Sequence, residues 1–313
     1  MRDTDVRVPY IGQLEPRGGS ETTPVVDLSV VIPCLDAGDL LALQLQALAR
    51  QDCRQWPGVW EVIVADNGST DGSKEVALSF ADRLPGLRVV DASERRGRHY
   101  ACNVGVQHAR GAAIVFVDAD DEVAPTYVAA MAGALHDHAV VAARLDHTAL
   151  DPIWMAGVGS AFQTRGLDDG FGFLPFGAGC SLGFRRSVLE AVGGFREQAS
   201  YCEDVDISWR AQLAGHRIEF VPDAVVHYRS RTTLRAMFRQ HRNFGRARAL
   251  LYHDYRAAGM PPRPGGAGLR EWWFVARAIP RLRTRAEVAR WTRRLARCVG
   301  RLQGSLQYRV WYP

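Results

Sequence analysis

Four short apolar runs in the N-terminal half of the chain, each followed by residues with helical spacing, restrict its possible folds most strongly. The runs occupy residues 28–34, 61–67, 87–93 and 112–118. Unbroken apolar strands that alternate with helices are typical of a parallel sheet covered by helices on both faces. We therefore predict an α/β fold with a mostly parallel, doubly wound sheet.

The second half of the chain follows a different pattern, because the strand and helix alternation ends near residue 143. Residues 151–183 are rich in glycine and aromatic residues, which indicates loops that shape a binding site. Regular patterns then resume, with predicted helices at 186–192 and 203–214, strands at 217–221 and 224–228, and a long basic helix after Thr232. Residues 259–268 have the composition of a linker.

Charge is distributed unevenly along the 313 residues, although the formal net charge is only +5. Residues 229–313 contain 20 arginines and three acidic residues, a balance of +17, which leaves −12 for the rest of the chain. Such a basic segment favours an anionic partner: membrane lipid, a phosphorylated acceptor or nucleic acid.

The cysteines and the N-terminal residues bear on the cellular compartment. Six cysteines are scattered singly without a CxxC pair, which favours reduced thiols in the cytosol. Residues 1–23 are polar and lack the apolar run of a signal peptide or membrane anchor. We therefore expect a cytoplasmic protein that is soluble or peripheral to a membrane.

The fourth apolar run ends in the acidic sequence Asp118-Ala119-Asp120-Asp121. The carboxyl edge of a parallel sheet is where α/β proteins bind ligands. Two carboxylates with one residue between them can share a divalent cation, and the cation can bridge the two phosphates of a nucleotide sugar. The alternative is a solvated acidic turn that precedes a helix opened by Pro125.

Five segments occur in an order that resembles the family 2 glycosyltransferases. They are SVVIPCLDAGDLL, VIVADNGSTDGS, AAIVFVDADDEV, FGAGCSLGFRRSVLEAVGGF and YCEDVDISWRAQLAGHRIEFVPDAVVHYRS, within residues 28–251. The resemblance implies a GT-A fold and sugar transfer with inversion. It divides the chain into a tail at 1–26, a catalytic domain at 27–231 and a basic helical extension at 232–313. Within the catalytic domain, it assigns 27–143 to the nucleotide sugar and 144–231 to the acceptor.

The resemblance also implies a set of donor-binding and metal-binding residues. It places Pro33 and its neighbour Asp36, where the family commonly has asparagine, in the nucleoside pocket with Asp66. Asp118 would lie near the ribose and contribute to the metal site, with Asp120 on the metal and His227 completing the site. An imidazole ligand favours Mn²⁺ over Mg²⁺. The alternative for Asp66 is that it caps the next helix together with Ser69.

Glu203-Asp204 matches the family's ED motif, which implies that Asp204 is the catalytic base. A carboxylate opposite the leaving diphosphate would take the proton of the attacking hydroxyl. The alternative is that the dipole of a helix N-terminus stabilises these acids without any catalysis. Both can hold at once, because the helix N-terminus would help to keep Asp204 ionised. Arg98 is the candidate contact to the donor diphosphate, although the family often has Ala-Arg-Asn where this chain has Ala101-Cys102-Asn103.

Other functional classes are disfavoured by particular features. The turn after the first strand, at residues 33–38, lacks GxGxxG, which argues against a Rossmann dehydrogenase. The same turn lacks the basic, glycine-rich loop expected of a nucleotidyltransferase. No recognised module supports nucleic-acid binding. We therefore expect an inverting transferase that uses a UDP- or dTDP-sugar and a glycan or lipid-linked acceptor in bacterial surface polysaccharide or glycoconjugate synthesis.

The C-terminal segment predicts a basic amphipathic helix. One face would carry an apolar stripe and the remaining surface the arginines; the stripe comprises Val288, Trp291, Leu295, Cys298 and Leu302. Such a helix can lie in an anionic membrane interface, where each arginine gains roughly 1 kcal/mol. Alternatively, the stripe packs on the catalytic domain or forms a homodimer interface.

Overall fold

The computed structural model describes residues 26–313, except 160, 170 and 200, so nearly all of the predicted tail lies outside the described residues. The first half alternates strands and helices: β1 (Leu28–Cys34), α1 (Gly38–Ala49), β2 (Trp60–Asp66), α2 (Ser73–Leu78), β3 (Arg88–Asp91), α3 (Arg98–His108), β4 (Ala113–Phe116), β5 (Glu122–Val123), α4 (Tyr127–Asp137) and β6 (Val140–Asp146). The second half is mainly helical: β7 (Leu182–Arg185), α5 (Arg186–Ala191), α6 (Glu203–Leu213), β8 (Ile218–His227), α7 (Leu234–Tyr255), α8 (Ala267–Ala278) and α9 (Arg285–Gln307).

The described strands form one eight-stranded sheet in the order β3-β2-β1-β4-β7-β6-β8-β5. Strands β1 to β4 are mutually parallel, which confirms the prediction for this half. Beyond β4 the sheet becomes mixed, because β7 is antiparallel to both of its neighbours. The two strands predicted at 217–221 and 224–228 are the single strand β8, with an irregularity where Val221 and Val225 pair with adjacent residues of β6.

Helices cover both faces of the sheet, as the unbroken apolar strands predict. Alternate residues of β1 point to opposite faces, so Val30 and Ile32 join one core and Val31 joins the other. Helices α1 and α4 pack on the first face, and α3, α5 and α6 on the second. The sheet is therefore buried on both sides, and only its edges and strand ends are available for binding.

Two helices differ from the sequence prediction at their ends. Helical spacing extends over residues 71–83 in the sequence, but α2 is shorter, because residues beyond Leu78 continue as turns rather than as α-helix. Helix α4 begins at Tyr127 with Thr126 at its N-cap, so Pro125 precedes the helix instead of occupying its first turn.

Helix α9 is amphipathic, as predicted, but it packs along α7 through small residues that lie beside the predicted stripe. The buried positions include Ala289, Ala296, Gly300 and Gly304, which alternate with the predicted stripe. Leu302 of that stripe is exposed, whereas Arg301 is buried and ion-paired with Glu271. Small residues allow close contact between helix backbones, which hydrophobic periodicity does not reveal.

Among the described helices, none combines the length and apolarity needed to cross a bilayer.

A third core joins the C-terminal helices to α6. Trp209 of α6 contacts Tyr255 at the end of α7, with ring centroids 5.0 Å apart and an interplanar angle of 85°. Tyr312 stacks on Tyr252 of α7 and belongs to the same cluster. Residues after 231 therefore complete the packing around the helix that starts with Glu203.

Replacing Gly300 by alanine is expected to lower the free energy of unfolding by about 1–3 kcal/mol, because the added methyl group would overlap the Arg242 carbonyl oxygen of α7. Gly133 on the exposed part of α4 is a matched control, since an added Cβ meets no atom within 4 Å. Alanine there should stabilise the protein by about 0.5–1 kcal/mol. Urea unfolding measures both, and equal stability of the two variants would contradict the close α7–α9 contact.

Candidate active site

The ends of β1 and β2 hold the predicted nucleoside-binding residues close together. Cys34 pairs with Asp66 in parallel register, and Pro33 pairs with Ala65. Asp66 Oδ1 accepts a hydrogen bond from Ser69 N at 3.1 Å, and Asp36 Oδ1 accepts one from Thr70 N at 2.8 Å. The two carboxylates thus shape the turn between β2 and α2. Asp66 does not cap α2, which starts after Gly72 without a side-chain cap.

Asn67, which follows Asp66, fixes the loop that leads into α3, and its role was missed by the sequence analysis. Its buried amide donates to the carbonyl oxygens of Ala92 and Arg95 and accepts from Gly97 N at 2.8 Å. A side chain with both donor and acceptor groups is needed to make these bonds. The Asp-Asn-Gly sequence at a strand end is the only signal that could have indicated it.

Arg98, the first residue of α3, links the two acidic motifs. Its Nε donates to Asp118 Oδ1 at 2.9 Å, and its Nη1 lies 3.9 Å from Glu203 Oε1. Gly179 passes so close that an added Cβ would lie 2.8 Å from Nη1. The structure therefore brings together Arg98, the Asp118 strand end and the ED motif.

Two further acidic residues follow Asp118, and each has a different partner. Asp120 Oδ2 forms an ion pair with Arg231 Nη1 at 2.7 Å. Asp121 Oδ1 accepts from Arg229 N at 2.8 Å, while its buried Oδ2 has no hydrogen-bond partner. The segment after β8 thus lies over the acidic turn, a contact that the sequence analysis did not foresee because the two segments are more than 100 residues apart.

The residues predicted to bind metal are not gathered around one point. Among the described residues, the carboxylate and thiol groups that lie within 4.8 Å of one another belong to Asp118, Asp121 and Cys180. Asp120 faces Arg231 instead, and His227 Nδ1 lies 3.0 Å from Asp146 Oδ2. The acidic turn nonetheless suits a cation.

Electrostatics at this turn favour the binding of a positive charge. Burial, followed by the neighbouring carboxylates Asp118 and Asp120, raises the pKa of Asp121 well above its ordinary value. Burial and Asp118 likewise raise the pKa of Asp120, against the opposing effect of Arg231. Closely spaced carboxylates with an unpartnered oxygen fit a divalent metal, which prefers oxygen ligands.

Asp204 lies in the first turn of α6 with its carboxylate held by backbone amides. Oδ2 accepts from Gly179 N at 3.2 Å and Oδ1 from Val205 N at 2.8 Å. Burial, and then the charge of Glu203, raises the pKa of Asp204 to about 7. A carboxylate with that pKa can gain and lose a proton near neutral pH, as a general base must.

The fold is supported by two arginines at the junction of β7 and α5 and by three phenylalanines of the glycine-rich segment 151–183. The Arg186 guanidinium donates to the carbonyl oxygens of Gly111 and Ala109, and Arg185 Nε donates to Leu135 O. Neither arginine faces the acidic turn. The three phenylalanines of the glycine-rich segment pack in or against the third core with Trp209; Phe176 is buried, and Phe171 and Phe173 are half-buried.

Solved structures with the same architecture define the class of fold. A mannosyltransferase, PcManGT from Pyrobaculum calidifontis in complex with GDP-Man and Mn²⁺, has a TM-score of 0.60 at 21% identity, covering 90% of this chain and 88% of that one. TarS 1–349 of S. aureus in complex with UDP has a TM-score of 0.55 at 17% identity, covering 92% and 93%. The fold of this chain is of the GT-A type.

Residues 29–193, just over half of the chain, match the glycosyl transferase family 2, and the chain belongs to that family. It is 40% identical over 116 residues to the uncharacterized glycosyltransferase YibD of Escherichia coli K12. That match covers 37% of this chain and 32% of YibD, so it spans about a third of the relative's length. Membership of the family does not identify the donor or the acceptor.

Replacing Arg98 by glutamine is expected to destabilise the protein by about 1–3 kcal/mol at pH 8, because it leaves the carboxylates of Asp118 and Glu203 without their counter-charge. The loss should be smaller at pH 5. The reason is that burial already raises the pKa of Glu203, and loss of the guanidinium favours its protonation further.

Urea unfolding at the two pH values measures this difference, with Arg54→Gln as the control. Arg54 pairs with Asp52 on the surface, with its side chain 88% exposed, so its replacement should change stability little at either pH. An Arg98→Gln variant with a deficit that is independent of pH would contradict the proposed contact with Glu203.

Proposed function

We propose that the protein is a metal-dependent, inverting hexosyltransferase that moves a sugar from a nucleoside diphosphate to a hydroxyl acceptor. The observation that carries the proposal is the Arg98 guanidinium, which joins Asp118 to the ED motif in one polar site. A cationic side chain between the strand-end acids and the candidate base suits a diphosphate that must be bound and then released.

The donor pocket is the turn region formed by Pro33, Asp36 and Asp66. Carboxylate oxygens at this edge accept hydrogen bonds from a base or a ribose. We propose a UDP- or dTDP-sugar as donor, and the uridine nucleotide bound to TarS supports that choice. The GDP-mannose bound to PcManGT makes a guanosine nucleotide the first alternative to test.

A divalent cation, Mn²⁺ or Mg²⁺, would be held by Asp118, Asp120 and His227. His227 is suited to this role because a hydrogen bond from its Nδ1 to Asp146 Oδ2 would fix the tautomer in which Nε2 can act as a ligand. Cys180 is the poorer third ligand, because thiolates prefer softer metals and burial raises the pKa of its thiol. When bound, the cation would neutralise the charge of the leaving diphosphate.

Asp204 is the proposed base. The acceptor hydroxyl would attack the anomeric carbon from the side opposite the diphosphate and transfer its proton to the Asp204 carboxylate. One carbon–oxygen bond forms to the acceptor while the bond to the phosphate oxygen breaks, which inverts the anomeric centre. Glu203 is proposed to position Arg98 rather than to act as a second base, because its Oε1 lies 3.9 Å from Arg98 Nη1.

The biological setting is proposed from the family resemblance and the charge distribution. We infer a glycan or lipid-linked acceptor in bacterial surface polysaccharide or glycoconjugate synthesis, at the cytoplasmic face of the membrane. The basic residues after 228 support an anionic surface or acceptor near the site.

Asp120→Asn and His227→Ala should each weaken Mn²⁺ binding in the presence of UDP by about 10- to 100-fold, because each removes a proposed ligand. Titration of free Mn²⁺ by electron paramagnetic resonance measures the affinity. Asp223→Asn, an exposed residue of the β8 irregularity, is the matched control. If His227→Ala binds Mn²⁺ normally and Cys180→Ser does not, the metal lies on Asp118, Asp121 and Cys180 instead.

Asp204→Asn should lower turnover by roughly 10²-fold or more and leave donor binding nearly unchanged, because the amide cannot accept the proton. Donor affinity is measured by calorimetry and turnover by nucleoside diphosphate release. Retention of wild-type turnover by this variant would assign the base to another residue.

The wild-type enzyme should lose turnover as the pH falls below about 7, because a protonated Asp204, whose pKa is raised to about 7, cannot act as a base. The pH dependence of the residual activity of Asp204→Asn should lack this acidic limb. An acidic limb that persists unchanged in the variant would contradict the assignment.

A further inference from the structure

An arginine-lined cavity of about 480 Å³ lies between α8, α9 and residues 157–159, apart from the acidic turn. Its volume is within the range of small-ligand sites. Five guanidinium side chains line it, reaching in from α9 and from the turn after α8: Arg281, Arg290, Arg293, Arg294 and Arg297.

The positive charge in the cavity is not neutralised by the protein. None of the five arginines forms an ion pair with a carboxylate of the described residues, whereas Arg301, one turn further along α9, pairs with Glu271. Arg293 Nε donates instead to the neutral ring of His241 at 2.6 Å, and its Nη1 donates to a backbone carbonyl. The only acidic side chain in the lining is that of Glu287.

Glu287 is already engaged in capping α9. Its Oε2 accepts hydrogen bonds from Arg283 N, Thr284 N and Thr284 Oγ1 at 3.0, 2.8 and 2.9 Å. Burial, followed by Arg248, Arg293 and Arg294, lowers the pKa of Arg297 to about 10. Crowded guanidinium groups without a counter-charge are stabilised by an anion.

The cavity also has an apolar side. Phe274, Ala278 and Trp291 contribute to its lining. Beside it on α8 and the following turn, Trp273 is 54% exposed and Ile279 is 56% exposed. A ligand that fills the cavity and extends along α8 would therefore carry an anionic group next to an apolar one.

We propose that this cavity binds a phosphate or diphosphate group, carried by a membrane lipid headgroup or by a soluble phosphorylated ligand. Several planar guanidinium groups around one space match phosphate oxygens better than a single carboxylate. Residues 157–159 belong to the segment that follows β6, whose last residue, Asp146, contacts His227. If the bound ligand is the acceptor, which rests on the proposed function, its phosphate is held on the β6–β8 side of the site.

Pyrophosphate binding tests the site without any turnover. In excess EDTA, calorimetry of the full chain should show binding that is weakened at least 10-fold by Arg290→Gln together with Arg294→Gln, both exposed residues of α9. The matched control is Arg239→Gln with Arg256→Gln, two exposed arginines outside the cavity. Arg281→Gln reaches the cavity from the α8 side and should also weaken binding if the α9 variant is poorly folded.

Equal affinity of the wild type, the cavity variants and the control variant would overturn the proposal, as would absence of binding to the wild type. Sedimentation with phosphatidylcholine vesicles, with and without phosphatidic acid, distinguishes the two sources. Binding that requires phosphatidic acid and is displaced by pyrophosphate supports a lipid headgroup, and pyrophosphate binding without vesicle binding supports a soluble ligand. Normal turnover together with loss of pyrophosphate binding separates this site from the catalytic one.

Discussion

The contact on which the candidate site depends is the bridge from Arg98 to Asp118 and Glu203. It joins α3, the end of β4 and the start of α6, so three elements from distant parts of the chain are fixed at one sheet edge. Removing one member of such a partly buried group of charges would leave the others uncompensated. The proposed donor-binding residues and the proposed base are therefore held by the same electrostatic constraint.

Sequence reasoning predicted the parts of this arrangement that depend on local pattern. Strands β1 to β4 were found because they are buried on both faces and so carry continuous apolar residues. Arg98, Asp118 and Asp204 were predicted as site residues because a family resemblance adds long-range information to single residues. Their mutual distances needed the structure, since nothing in the local pattern relates residue 98 to residue 203.

The structural features that were not predicted depend on tertiary contacts, which the hydrophobic periodicity of the sequence does not reveal. Strand β7 is only four residues long. In the sheet it lies between β4 and β6, both of which come earlier in the sequence. The α7–α9 contact uses glycine and alanine, which carry little hydrophobic signal, and it buries Arg301 on the face where solvent was expected. The pairing of Asp120 with Arg231 likewise depends on tertiary structure alone.

The third core has a consequence for the order in which the protein becomes active during synthesis. Trp209, only five residues after Asp204, packs on Tyr255, and Tyr312 belongs to the same cluster. Domains form from the N-terminus as they emerge, so the parallel strands can pair while the ribosome still covers the C-terminal helices. The helix that carries Asp204 can reach its final packing only after Tyr312 has left the ribosome, so the parallel half of the sheet in the nascent chain becomes structured before the acidic residues of α6 are fixed beside it.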